Sequence, residues 1–109
     1  NFYEDYDVIL SPVLNKPPVK IGSIDMSSKD VGVYITNLLS YSGFTGLYNQ
    51  TGQPSISVPL GWSNLSLPIG SMFSAKFGED ALLLSLAAQL ENAKPWKDKK
   101  PPIYSGVKY

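Results

Sequence analysis

Residues 49–62, Asn-Gln-Thr-Gly-Gln-Pro-Ser-Ile-Ser-Val-Pro-Leu-Gly-Trp, decide the fold of this 109-residue chain. Polar and apolar residues alternate from Ser55 onward, which places Ile56, Val58 and Leu60 on one face of an extended segment. This pattern predicts a β-strand that buries one face.

The residues just before the strand have the chemistry of a well-built turn. Gly52 can adopt a positive φ, Pro54 fixes the start of the strand, and Asn49 can bond its own backbone. We interpret Asn49, Gly52 and Pro54 as a structural motif. Pro59 has no N–H to donate, so we expect it on an edge strand or at a strand end.

A second strand follows. Residues 61–66 are typical of a turn, and residues 67–75 are again extended, so the two strands are expected to form a hairpin. Ile69 and Phe73 are expected on one face of the second strand and Met72 on the other.

The clearest helix comes last. Gly78-Glu79-Asp80 begins it with two acids in the first turn, and Pro95 ends it after Lys94. Its wide apolar stripe contains Leu82, Leu83, Leu86, Ala87 and Leu90. We expect residues 96–109 to be an extended, solvated tail with Trp96 as its anchor.

The first half of the chain gives weaker patterns. Residues 6–11 predict a strand that is covered on both faces, as in a parallel or mixed sheet. Asp30 is a candidate cap for a helix over residues 31–40. Residues 40–52 have the composition of a loop. The succession of elements predicts an α/β fold. It contains few elements with which to enclose a hydrophobic core by itself.

Composition excludes several functions. Nine lysines balance nine acidic residues, and the chain contains no arginine, cysteine or histidine. Disulfides, thiolate or imidazole metal sites and histidine-activated nucleophiles are therefore excluded. A neutral chain without arginine is a poor ligand for nucleic acid, and no apolar run is long enough to span a membrane. Charged residues make up only 17% of the chain, which predicts apolar surface in need of a partner.

Three sequence motifs are explained by local structure or by chance, without a functional role. Ser27-Ser28-Lys29 has the residue types of a serine–lysine pair, but its neighbours predict a polar loop that leads to a helix cap. Ser105-Gly106-Val107-Lys108 lacks the helix that a Ser-x-x-Lys motif needs. The glycosylation tripeptides at Asn49 and Asn64 are best explained by chance.

The run 49–62 resembles the Asn-x-x-Gly-x-Pro-Ala-x-Ser-x-Pro segment in the C-terminal region of amidase-signature enzymes. Five further stretches resemble that family in the same order, so the resemblance covers residues 2 to about 102. These stretches are Tyr6–Pro12, Leu67–Gly70, Phe77–Leu83, Ala87–Glu91 and Pro95–Trp96.

The resemblance implies an α/β fold with a mixed central sheet and a long covering C-terminal helix. It also implies hydrolysis of carboxylic amides by a Ser-cisSer-Lys triad that needs no metal or organic cofactor. The family's catalytic lysine and glycine-serine segment lie upstream of the matched region, and no lysine here sits in a matching motif. We therefore assign no catalytic residue and expect the chain alone to be inactive.

In the family, the stretch before the Asn-x-x-Gly segment can approach the substrate pocket. The resemblance thus makes Phe44, Thr45 and Tyr48 candidate substrate-binding residues, with Phe44 and Tyr48 lining an acyl-side pocket and Thr45 bonding a substrate amide. The alternative is that both aromatic residues fill the core.

The hairpin turn departs from the family pattern. Ser66 stands where the family usually has a glycine, and Asn64 is the candidate for the left-handed conformation instead.

These inferences predict that residues 1–109 form a single unit from the C-terminal part of a cytoplasmic amidase. Its partners are then the remainder of the amidase domain and a small amide substrate, and the absence of an initiating methionine agrees with a piece of a longer chain. The alternative is a free-standing binding or interaction module with the same fold. Uncovered sheet edges also predict that an isolated piece pairs with a second copy.

Overall fold

Antiparallel strands and one long helix form the packed centre of the chain, in a computed structural model that describes residues 2–102. The elements are α1 (Phe2–Asp5), β1 (Val8–Pro12), α2 (Val31–Tyr41), α3 (Gly46–Thr51), β2 (Ser55–Trp62), β3 (Pro68–Ala75) and α4 (Asp80–Ala93). The α/β class and the long covering helix are confirmed. The described strands pair only antiparallel, so these residues do not by themselves complete the mixed sheet that the resemblance implies.

The predicted hairpin is confirmed. β2 pairs with β3 with Ile56 opposite Phe73, and β1 pairs with the other side of β3, which gives the strand order β1-β3-β2. Pro59 lies on β2, an edge strand of this described sheet, as expected for a residue that cannot donate to a ladder. The register shifts between Pro59 and Gly61, so Leu60 is the extra residue of a β-bulge.

The core lies where α4 covers one face of this sheet. Val58, Phe73, Ala75 and Leu83 are buried together. The partly buried residues around them are Val8, Ile56, Leu60, Leu82, Leu86, Ala87, Leu90 and Trp96. The alternation of β2 and the stripe of α4 therefore meet as the sequence predicts, and Trp96 is confirmed as the anchor of the tail.

The residues after α4 are tied back to β2. The Lys94 ammonium donates to the Leu60 carbonyl, and the Lys99 ammonium lies 5.5 Å from the centroid of the Trp62 ring. The Lys99 N–H donates to the Trp96 carbonyl at 2.9 Å, so the tail begins with a turn instead of an extended segment. Residues 103–109, including the Ser105–Lys108 motif, lie outside the described residues.

Two expectations about local structure are wrong. Residues 46–51 form the short helix α3 within what the composition predicts as loop; its end is set by Gly52, which has a φ of 69° and donates its N–H to the Tyr48 carbonyl at 3.0 Å. Within residues 2–102, β1 is not covered on both faces, because Leu10 is 64% exposed. The expected helix over residues 31–40 is confirmed, and the Asp30 carboxylate caps it by accepting from the Val33 N–H at 3.1 Å.

The left-handed residue of the hairpin turn is not the one that the sequence predicts. Ser66, not Asn64, adopts the left-handed conformation, with a φ of 59°. The Ser63 hydroxyl accepts from the N–H groups of Leu65 and Leu67 at 3.2 Å each, which fixes the turn around it. A residue with a Cβ therefore occupies a left-handed position in which glycine would have less steric strain.

Replacing Ser66 with glycine is expected to raise the free energy of unfolding by about 0.5 kcal/mol. Relief of left-handed strain contributes roughly 1–2 kcal/mol, and the greater freedom of glycine in the unfolded chain offsets part of it. Urea denaturation of both proteins measures the difference. Asn64→Gly is the matched control and should not stabilise, since Asn64 does not have a positive φ; the opposite ranking of the two variants would contradict the assignment.

Candidate functional site

The candidate substrate-binding residues lie in the connection between α2 and β2. Phe44 and Thr45 precede α3, and Tyr48 lies within it. Tyr48 is buried with 9% of its surface exposed, Thr45 is half-buried, and Phe44 remains 36% exposed. The three residues thus belong to one short segment but present very different surfaces.

The polar candidate, Thr45, already has a neighbour to bond. Its hydroxyl lies 3.3 Å from the Ser42 hydroxyl, with either group able to donate. A hydroxyl paired with another hydroxyl keeps spare capacity, because each has one donor and two acceptor lone pairs. Of the two aromatic candidates, Phe44 is the one with open surface.

The structural motif fixes the C-terminal end of this segment to the sheet. Gly52 caps α3, and the Pro54 carbonyl accepts from the Ala75 N–H at 3.1 Å. Asn49 lies inside α3 instead of in a turn, and its N–H donates to the Thr45 carbonyl at 3.3 Å. The Phe77 ring lies beside Gly52, since a Cβ at Gly52 would be 3.6 Å from the ring.

Gln53 makes a long-range hydrogen bond that the sequence does not predict. Its amide nitrogen donates to the Tyr3 hydroxyl at 3.0 Å, and its amide oxygen accepts from the Thr51 hydroxyl at 3.1 Å. The partners Tyr3 and Gln53 are 50 residues apart in the chain. No local pattern could therefore have predicted the contact.

The N-terminal end of the segment is held by the loop after β1. The Asn15 N–H donates to the Tyr41 carbonyl at 3.0 Å, and the Asn15 amide nitrogen lies 3.4 Å from the Ser40 carbonyl. The Lys16 ammonium donates to the Ser40 hydroxyl at 3.3 Å. Sequence reasoning gave no role to Asn15 or Lys16, because their side-chain partner Ser40 lies 25 and 24 residues further along the chain.

A groove of about 310 Å³ lies beside that loop, between the end of β1 and the start of β3. Its walls are mainly apolar and include Val13, Leu14, Pro17, Leu67 and Ile69. Asn15 and Lys16 also line it. The groove has the lining of a binding surface and no arrangement of groups that could cleave a bond.

The structure accounts for the serine–lysine pair by local bonding. The Ser28 hydroxyl contacts both the carbonyl and the N–H of Asp30 at 3.1 and 3.2 Å, and the Asp25 carboxylate accepts from the Ser27 N–H at 2.8 Å. These bonds build the loop that leads to the cap of α2, as the residue types predict.

Across residues 2–102, no cluster of three or more acidic, histidine or cysteine side chains could hold a metal ion. In the same part of the chain, no helix has the length and apolar character needed to cross a membrane.

Comparison with known proteins identifies the fold. The sequence model of the amidase family matches residues 1–84. The chain belongs to the amidase family. A fragment of an amidase-signature enzyme thus explains both the order of the matched stretches and the thin sheet.

The relatives are several times longer than the chain. It is 41% identical over 96 residues to a protein of Mycobacterium leprae named "Putative amidase AmiC", with 88% of this chain and 20% of the relative covered. It is 34% identical over 104 residues to the 6-aminohexanoate-cyclic-dimer hydrolase of Paenarthrobacter ureafaciens, with 90% of this chain and 21% of the relative covered. The chain therefore spans about a fifth of the length of the curated amidases it matches.

A solved structure agrees with the sequence relatives. The structure of a 6-aminohexanoate cyclic dimer hydrolase superposes with a TM-score of 0.72 at 32% identity. The match covers 87% of this chain and 21% of that chain. The described arrangement of sheet and helices is accordingly one part of the amidase fold.

Proposed function

We propose that the chain is the C-terminal part of an amidase-signature hydrolase that acts on carboxylic amide bonds through a Ser-cisSer-Lys triad outside residues 1–109. One observation carries this proposal: the chain matches the amidase family while spanning about a fifth of its relatives' length. In such an enzyme the distal serine attacks the carbonyl carbon, and the lysine and the middle serine relay the proton.

The residues of this chain would contribute position and shape to that reaction. The hairpin β2–β3 and α4 provide a packed platform, to which Pro54 and Gly52 tie the segment 42–54. On this proposal Phe44 lines the acyl side of the substrate pocket, Thr45 bonds the substrate amide, and Tyr48 supports the wall from its buried position. The absence of cysteine agrees with a cytoplasmic enzyme, which we also propose.

The isolated 109-residue chain is expected to hydrolyse no amide, because the proposed triad lies outside it. Assays of the purified chain with simple aliphatic and aryl amides measure this directly. Turnover that scales with the amount of pure chain would contradict the proposal. The codons upstream of Asn1 provide the control: a glycine-serine segment and a lysine in the same frame indicate the hydrolase, whereas a nearby start codon indicates a free-standing module.

Replacing Phe44 with alanine in the intact enzyme is expected to change the ratio of kcat/KM between bulky and small acyl amides by about tenfold or more. A lost apolar contact in a substrate pocket changes discrimination by that order. The matched control is Leu47→Ala, which removes another exposed apolar side chain, 57% exposed, on the neighbouring turn. A large loss of stability with an unchanged acyl preference would show instead that Phe44 belongs to the core.

We further propose that the chain, when separated from the rest of the amidase domain, pairs with a second copy. Its radius of gyration is 16.9 Å, against about 13 Å for a compact domain of this length. Its accessible surface is 8479 Å², against roughly 6,000 Å² for a compact monomer of this size. Both β1 and β2 are edge strands of the described sheet, so strand pairing is open on either side.

Sedimentation of the isolated chain is therefore expected to show a dimer that dissociates on dilution. Burial of open strand edges and exposed apolar side chains provides the driving force. A monomer that persists across a hundredfold range of concentration would contradict the expectation.

A further inference from the structure

The two ends of the segment 42–54 are held by different parts of the protein. Its C-terminal end is bonded to β3 through the Pro54 carbonyl and capped by Gly52. Its N-terminal end follows α2, a helix without a buried residue. Contacts at the C-terminal end of α2 are therefore needed to hold the end of the segment that precedes Phe44.

Asn15 makes the contacts at that end. Its backbone N–H and its side-chain amide reach the carbonyls of the last turn of α2, those of Tyr41 and Ser40. Through its own strand, Asn15 is connected to the sheet, since it lies three residues after the end of β1 at Pro12. This loop is thus a direct link between the sheet and the start of the segment.

Gly43 shows how closely the segment approaches Asn15. A Cβ at Gly43 would lie 2.3 Å from the Asn15 amide nitrogen and 2.4 Å from its amide oxygen. Real side chains do not approach this closely, so only glycine fits while the Asn15 amide stays in place. Phe44 is the next residue, and any displacement of Gly43 is passed to it through one peptide bond.

We infer that Asn15 is a positioning residue, which braces Gly43 and the last turn of α2 and thereby sets the place of Phe44 in the acyl-side pocket. The effect on substrate rests on the proposed function. The brace itself rests on the contacts of Asn15 alone.

The experiment uses the full-length enzyme with Asn15→Ala, Gly43→Ala and the double variant. Asn15→Ala removes the side-chain bond to Ser40, and Gly43→Ala inserts a methyl group where the Asn15 amide lies. The matched control is Gly46→Ala, since a Cβ there meets no atom within 4 Å. Each variant is assayed on a bulky and a small acyl amide, and amide hydrogen exchange is measured over residues 42–52.

Each single variant is expected to change the ratio of kcat/KM between the two amides by about threefold, because the Asn15–Ser40 hydrogen bond is long, at 3.4 Å, and exposed, and so belongs to the weak end of the range. The double variant should change it no further than Asn15→Ala alone, because the inserted methyl then has room. Exchange over residues 42–52 should rise in Asn15→Ala. Gly46→Ala should leave the ratio of kcat/KM unchanged and should not raise exchange, since alanine favours the helix α3 that begins there.

Two results would overturn the inference. One is exchange and selectivity that stay within twofold of an active wild type in all three variants. The other is a double variant whose effects multiply, which would show that Gly43 and Asn15 act independently. A full-length wild type that hydrolyses no amide would instead overturn the proposed function and with it the effect on selectivity; the exchange result would still decide whether Asn15 braces the segment.

Discussion

The packing of α4 against one face of the hairpin β2–β3 is the interaction on which the rest of the chain depends. Leu83 of the helix lies with Val58, Phe73 and Ala75 of the strands in the buried cluster. Burial of the three larger side chains, those of Leu83, Val58 and Phe73, contributes about 1.5–3 kcal/mol each. β1 and the tail are attached to this centre at its margin: β1 pairs with the free side of β3, and Lys99 of the tail lies over the Trp62 ring.

The first half of the chain does not have such a centre. α2 buries no residue, and Val31, Val33, Ile35 and Leu39 are all exposed on it. Apolar side chains on an amphipathic helix are normally covered by a neighbouring layer. A chain that spans about a fifth of its relatives' length is expected to lack that layer, and this explains why few charges go together with much exposed apolar surface.

The elements of the centre could be predicted from the sequence because their signals are local. Alternation over residues 55–60 gives the strand, and the leucine stripe gives α4 and its buried face. α3 escaped prediction because its six residues, Gly-Leu-Tyr-Asn-Gln-Thr, have loop composition and its stability comes from the Gly52 cap and the burial of Tyr48. The left-handed conformation of Ser66 was not predicted, because serine has no intrinsic preference for it and adopts it only within this hairpin turn.

For the candidate site, the sequence and the resemblance predicted the segment but not the difference between its residues. Phe44 and Tyr48 are four positions apart and both aromatic, yet only packing distinguishes the exposed one from the buried one. The same holds for the contacts at the two ends of the segment, where Tyr3 meets Gln53 and Asn15 meets Ser40. These partners are far apart in the chain, and the fold brings them together. Their contacts can therefore be predicted only once the pairing of β1 with β3 is known.

The placement of the candidate site at the margin of the packed centre has a physical consequence. The segment is bonded to the sheet through Pro54 at one end, whereas its other end follows a helix that has no buried residue. The burial of Tyr48 holds the segment after Phe44, and the hydrogen bonds of Asn15 hold the helix end that precedes it. Contacts of this kind can be altered at small cost to stability, because they add little to the buried centre. The wall that we propose around Phe44 therefore rests on contacts that can change while the platform beneath it stays the same.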